Sequence, residues 1–424
     1  MELLDQPAVN GGAGSGVPRA PVKFNLFDPA FHADPYEVYA RLREEDPVHR
    51  TVMGAWVITR YADVKTLLRD NTFGVFDIPT RIERKSQFLE KKNMGELRTL
   101  AQAMRRWLML CDPPDHTRLR SLVNRSFTPG AVESLRPRVQ EMVDRLLARV
   151  RHTGRMDIVN DLACPLAVTM IASMLGVPEE AHASVTRWAD GLSRVLDPLR
   201  SLEQYAEMNN VAQEFLAYFR ELFAERRRHP REDLISSLIA VTDQGDKLTE
   251  DEMLSVCMLL FIAGEKTTVN LIGNGTLALL KNRGEMERLR QDPSLIRGAI
   301  DEMLRYDSPV QLNTRVPKKD VTLHGKTIPA GDLIYFSLGS ANRDPTQFPD
   351  PDRFDITRRE KGHLAFSGGI HYCLGAALAL IEGQVAFSTL VREFPDLELV
   401  PGEIDWQKEI IFRGPQTLPV TFSP

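Results

Sequence analysis

The chain has 424 residues, 43% of them hydrophobic and 26% charged, with a formal net charge of -5. A chain of this length buries a large core without staples, and its slight acidity gives no general attraction to nucleic acid. Four cysteines, Cys111, Cys164, Cys257 and Cys373, fit neither a disulfide framework nor a zinc spacing.

Residues 1–22 are rich in Gly, Pro and Ala and read as a flexible leader. From 23 to 424 no Pro/Gly linker or change of composition divides the chain, so one domain is expected, mainly α with a small β part. Apolar residues recur at i, i+3, i+4 over 35–45, 61–70, 131–151, 160–176, 180–196, 204–228, 248–282 and 293–306, which predicts helices there. Short strands are predicted at 54–60, 321–325, 326–337 and 419–422. No run of about 18 apolar residues marks a membrane span, so a cytoplasmic protein with no membrane partner is expected.

The longest predicted helix begins at Thr249. With Glu252 it forms a capping box, and Leu248 and Met253 are placed as a hydrophobic staple. At ~1.5 Å per residue this helix crosses the whole domain, and a helix through the centre should be apolar nearly all round. Midway along it, however, lies FIAGEKTTVN, residues 261–270, with Gly264, Glu265, Lys266, Thr267 and Thr268 in succession.

A second unusual stretch is LAFSGGIHYCLGAALALIEGQVAF, 364–387, where a glycine loop leads through Cys373 into an apolar helix predicted over about 374–392. Free N–H groups and the helix dipole at such a position favour a thiolate. Gly368 and Gly369 permit a tight turn close to a flat ligand. A cysteine nucleophile would need a His base and an oxyanion site, which the apolar helix directly after Cys373 does not suggest.

Phe366 to Gly375, FSGGIHYCLG, resembles the haem-binding signature F-x-x-G-x-[HR]-x-C-x-G of the cytochromes P450, matching at Phe366, Gly369, His371, Cys373 and Gly375. The resemblance extends over about residues 25–424. AGEKTT (263–268) is similar to the family's oxygen-groove motif, EMLR (302–305) to its E-x-x-R, and DPPDHTRLR (112–120) to its propionate-binding helix. It implies the P450 fold, with haem b between the long central helix and the cysteine helix, and Cys373 as the iron ligand. It also implies His116, Arg120, Arg315 and His371 as propionate partners. Arg353 is expected to join Glu302 and Arg305 in a buried network, and Trp107 is read as packing.

On the distal side the resemblance assigns Ala263 and Gly264 to leaving room for dioxygen, and Thr267 to bonding back to the carbonyl of Ala263. An acid is usual directly before that threonine; here Lys266 stands there, and Glu265 one residue earlier faces another direction. The implied function is a monooxygenase acting on a hydrophobic small molecule such as a polyketide or macrolide, in secondary metabolism and antibiotic biosynthesis. The Lys266 departure leaves open a peroxide-driven or non-hydroxylating haem-thiolate enzyme, and a non-catalytic haem-binding protein is a third reading. The resemblance further implies a monomer using O2, with electrons from a ferredoxin and ferredoxin reductase. Arg118, Arg358, Arg359 and Lys361 are expected to form the basic docking face. The substrate wall is expected from 73–97 (Phe73, Val75, Ile78), the 190–205 turn, Leu260, Val310–Asn313 and 409–412 (Ile410, Ile411).

Overall fold

The computed structural model describes residues 22–196, 201–241 and 246–424. Positions 1–21 of the expected leader, and 197–200 of the expected 190–205 turn, lie outside the described residues.

The long helix spans Glu250–Lys281 and starts with the predicted capping box. Glu252 N–H donates to Thr249 Oγ1 at 3.3 Å, and Thr249 N–H donates to Glu252 Oε2 at 2.8 Å. Leu248 and Met253 are both buried beside it. This central helix packs against helices Cys164–Met174, His182–Ser193, Ile296–Tyr306 and Ala376–Glu393. It is long and apolar enough to cross a membrane by composition, yet it runs through the core. Its side chains are buried from Glu252 to Leu259 and from Thr268 to Leu280, and burial lapses over Ala263–Thr267. The polar notch of the sequence is therefore also a gap in the packing.

Predicted helices recur as Tyr36–Glu45, Tyr61–Leu67, Cys164–Met174, His182–Ser193 and Leu202–Arg228. The 131–151 segment divides into Pro129–Glu133 and Arg136–Val150, because Pro137 suits the first turn of a helix and not its interior. Helices Ile78–Lys91, Arg98–Met104, Leu234–Ala240 and Arg283–Gln291 were not expected. The largest sheet has five strands in the order Val48–Arg50, Trp56–Ile58, Ile334–Ser337, Leu312–Pro317 and Phe73–Gly74. Trp56 runs parallel to Ile334, whereas Arg315 lies opposite Ile334 in an antiparallel pair. The 326–337 expectation breaks into Lys326–Ile328 and Ile334–Ser337, with Gly331 at φ 88° between them.

The Ile296–Tyr306 helix is joined to the loop before Cys373 by a buried ion cluster. Arg305 donates to Glu302 at 2.7 and 2.8 Å. The third member is Arg358 and not Arg353: Arg358 Nε lies 3.2 Å from both Glu302 oxygens, with its side chain 7% exposed. Arg353 is 64% exposed beside Asp355. What Arg353 contributes is its carbonyl, which accepts from both Arg305 and Arg358. Burial also removes Arg358 from the expected docking face.

Removing one partner of a buried ion cluster costs about 3 kcal/mol or more, whereas an exposed arginine is worth about 0.5 kcal/mol or less. Urea unfolding should therefore show Arg358→Ala strongly destabilised and Arg353→Ala near wild type.

Candidate functional site

Cys373 sits three residues before the Ala376–Glu393 helix, its N–H donating to Phe366 O at 3.0 Å. Burial pushes its thiol up, while N–H groups of Gly375 and Ala376 and the charge of Arg120 pull it back toward the thiolate. The turn ahead of it depends on Gly369, at φ 65°. A Cβ there would lie 2.4 Å from the carbonyl of Leu68, so the glycine lets the loop press against the end of helix Tyr61–Leu67. Gly369 does not line the cavity; Phe366, His371, Cys373 and Gly375 do.

Four cationic or imidazole side chains surround the same cavity from three separate segments. His116 and Arg120 stand four residues apart on helix Asp115–Ser126. Arg120 donates to Tyr372 O at 2.9 Å. Arg315 comes from strand Leu312–Pro317, two residues after Asn313, so both point to one face; it donates to Asn313 Oδ1 at 2.7 Å. The His116 and His371 rings are 4.4 Å apart. Both ring nitrogens of buried His116 and Nη2 of Arg315 lack any partner among the described residues. Burial and the neighbouring cations hold His371 down to about 3, burial holds Arg315 down to about 10, and His116 is lowered for similar reasons. Buried donors without acceptors are costly. A flat ligand carrying two carboxylates supplies the missing acceptors and counter-charge. The residues present thus fit haem: His116, Arg120, Arg315 and His371 would hold propionates and Cys373 would ligate iron. Trp107 is fully buried outside the cavity lining, and its indole N–H has no partner among the described residues.

Across the cavity, Ala263, Gly264, Thr267 and Thr268 face in from the central helix. Thr267 Oγ1 donates to Ala263 O at 2.8 Å, a back-bond that bends a helix and opens a groove. The missing side chain of Gly264 makes room for Ile171, whose Cδ1 would lie 2.6 Å from a Cβ there. Glu265 and Lys266, expected beside them, do not line the cavity. Successive helical residues turn by ~100°, which carries these two away. Glu265 lies within electrostatic range of Cys164 and Asp190, its Oε2 without a partner among the described residues, and burial pushes its carboxyl up to about 7. Lys266 forms an ion pair with Glu409.

One polar residue of the cavity wall is not singled out by the sequence pattern. Glu382, fully buried on the cysteine helix, accepts a hydrogen bond from Thr268 Oγ1 at 3.1 Å, while its Oε1 has no partner among the described residues. Both residues line the cavity. A lone acid in the apolar run ALALIEGQVAF was the available signal. Burial pushes Glu382 up to about 8, so it holds a proton at neutral pH beside the groove.

The remaining wall is largely apolar: Val75, Ile78, Leu260, Val310, Leu312, Ile410 and Ile411. Phe73, expected there, packs instead against Phe336 in the sheet core, ring centroids 5.8 Å apart. The cavity measures about 960 Å³.

A cysteine at a helix start, facing across a cation-rimmed cavity a helix whose threonine bonds back to its own backbone, defines a haem-thiolate protein. The family model for Cytochrome P450 matches residues 16–414, and the chain belongs to that family. It is 38% identical to "Polyketide biosynthesis cytochrome P450 PksS" of Bacillus subtilis, over 93% of this chain and 97% of the relative. It is 36% identical to 6-deoxyerythronolide B hydroxylase of Saccharopolyspora erythraea, over 93% and 98%. Its fold resembles the crystal structure of P450BioI in complex with hexadec-9Z-enoic acid ligated acyl carrier protein, with TM-score 0.86 and 38% identity, covering 93% of this chain and 99% of that one.

Because Glu382 keeps its proton in the folded protein up to about pH 8, against ~4.3 when unfolded, the folded state binds the extra proton between those values. Its stabilising contribution is full below the unfolded value and is lost as pH rises through about 8; Glu265 acts in the same sense up to about 7. Between about pH 7 and about pH 8, above the range in which the lowered histidines His116 and His371 titrate, thermal midpoints should fall with pH, and less steeply in Glu382→Gln.

Proposed function

We propose that this P450 inserts one oxygen atom of O2 into a hydrophobic small molecule of the polyketide or macrolide kind, by hydroxylation or epoxidation. The observation that carries the reading is one continuous cavity in which the Ala263–Thr267 notch faces Cys373 and the rest of the wall is mostly apolar. The other oxygen atom leaves as water, with two electrons from a redox partner and two protons drawn through the groove. Haem, when bound, supplies the redox chemistry of dioxygen activation, with the thiolate favouring O–O cleavage. The chain's own residues do the rest. Cys373 anchors iron, and the four cationic or imidazole residues orient the cofactor. Thr267 holds the groove open, and the Thr268–Glu382 pair keeps a proton within reach.

The names of the relatives support the substrate class, since PksS belongs to polyketide biosynthesis and another relative hydroxylates 6-deoxyerythronolide B. These 424 residues carry no flavin or iron–sulfur motif, so a cytoplasmic ferredoxin and its reductase are the proposed electron source. Of the expected docking residues, Arg118 is occupied by Asp246 and Glu252, and Lys361 stands 3.6 Å from Asp301. Arg359 is exposed and has no acidic partner among the described residues.

A carbon monoxide difference spectrum of the reduced protein should show thiolate ligation, lost in Cys373→Ser; histidine-type ligation in the wild type overturns the reading. A library of macrolides and polyketides screened for the low- to high-spin shift should then yield a substrate. With ferredoxin, reductase and that substrate, Thr267→Ala should still consume O2. Its product should fall about tenfold or more, with hydrogen peroxide taking its place.

A further inference from the structure

The lysine in the oxygen-groove motif has a structural partner that the motif does not explain. Lys266, Asn270 and Asn274 follow one another at i, i+4 and i+8 and so share one face of the central helix. All three reach the same distant segment, residues 406–415. Lys266 pairs with Glu409. Asn270 and Gln407 exchange two amide hydrogen bonds, at 2.9 and 3.3 Å, in a fully buried setting. Asn274 Nδ2 donates to Arg413 O at 3.0 Å. The approach is close: a Cβ on Gly414 would meet Asn270 Oδ1 at 2.2 Å.

The segment is a hairpin. Its stem is closed by Gln407 N–H donating to Gly414 O at 2.9 Å and by a bridge between Trp406 and Pro415. Its return limb is tied to 309–311: Gln311 N–H donates to Ile411 O at 2.8 Å, and Val310 bridges Phe412. Its tip, 408–410, has one polar tie to the rest of the protein among the described residues, and that tie is Glu409 to Lys266. The next residues in the chain, Ile410, Ile411 and Phe412, form part of the cavity wall. The pair is only partly exposed, 18% and 17%, where an ion pair holds geometry better than at an open surface.

We propose that Lys266 is a positioning residue: its ion pair with Glu409 fixes the tip of the 406–415 hairpin and thereby sets the wall against which substrate lies beside the oxygen groove. The inference builds on the proposed monooxygenase reading for its substrate, but the pair itself is tested separately. An acid at 266 would face Glu409 with like charge and release the tip, while Asn270 and Asn274 keep the stem in place.

The test compares wild type with Lys266→Gln, Lys266→Glu, and the exchanged pair Lys266→Glu/Glu409→Lys, all haem-loaded. Hydrogen exchange of a peptide covering 408–412 should quicken about fivefold in Lys266→Gln, the size expected for losing a partly exposed pair. It should quicken further in Lys266→Glu and return to the wild-type rate in the exchanged pair. Affinity for two probe ligands, imidazole and the larger 4-phenylimidazole, is read from the visible spectrum. The ratio of the two affinities should shift in Lys266→Glu and be restored by the exchange. Unchanged exchange in Lys266→Glu, or a double variant no better than the single one, overturns the proposal. If thiolate ligation itself proves absent, the function falls, and the hydrogen-exchange comparison still decides the pair.

Discussion

Gathering buried Arg315 and His116 with half-buried His371 and Arg120 takes positive or potentially positive groups out of water with Asp112 as the one carboxylate acting on Arg315 and His116, and from a distance, among the described residues. The described part of the chain leaves donors of this cluster unpaired. An anionic ligand would supply the missing acceptors and so couple binding to stability. The elements that bring the cluster together lie far apart in sequence: a helix near 116, a strand near 315 and the loop before Cys373. Each is held by interactions unrelated to catalysis. Glu302, Arg305 and Arg358 weld the loop to its neighbouring helix, and Gly369 lets it lie against the carbonyl of Leu68.

The central helix solves a different problem. It must be apolar enough to pass through the core and polar enough, for one turn, to face oxygen chemistry. The structure separates these demands by direction. Ala263, Gly264, Thr267 and Thr268 look into the cavity, Glu265 lies within electrostatic range of Cys164 and Asp190, and Lys266 is turned toward the hairpin. The buried acid beside the groove is Glu382, which comes from the other helix and accepts from Thr268.

Features set by local chemistry were legible in the sequence. The capping box at Thr249, the helices with clear period and the cysteine loop all depend on residues within a few positions of each other. What escaped depends on partners far along the chain. Strand Phe73–Gly74 exists because Val316 and Pro317 lie alongside it. Which arginine of the 353–359 region turns inward is decided by carbonyls and by Glu302, not by spacing, so the motif points to Arg353 where the fold uses Arg358. Glu382 was passed over because an acid in an apolar helix declares its role only when its neighbour across the interface is known. Phe73 has the apolarity expected of a substrate wall, but sheet pairing directs it into the core.

The three rungs at 266, 270 and 274 also bear on how such a cavity changes over time. They tie a catalytic helix to a substrate-facing hairpin more than a hundred residues away. A new charge at 409 therefore leaves an unmatched charge one helical step from Thr267, and a new charge at 266 does the same to the hairpin. Drift in what the cavity accepts and drift beside the oxygen groove are not independent. Descendants of this chain have to move along both positions at once.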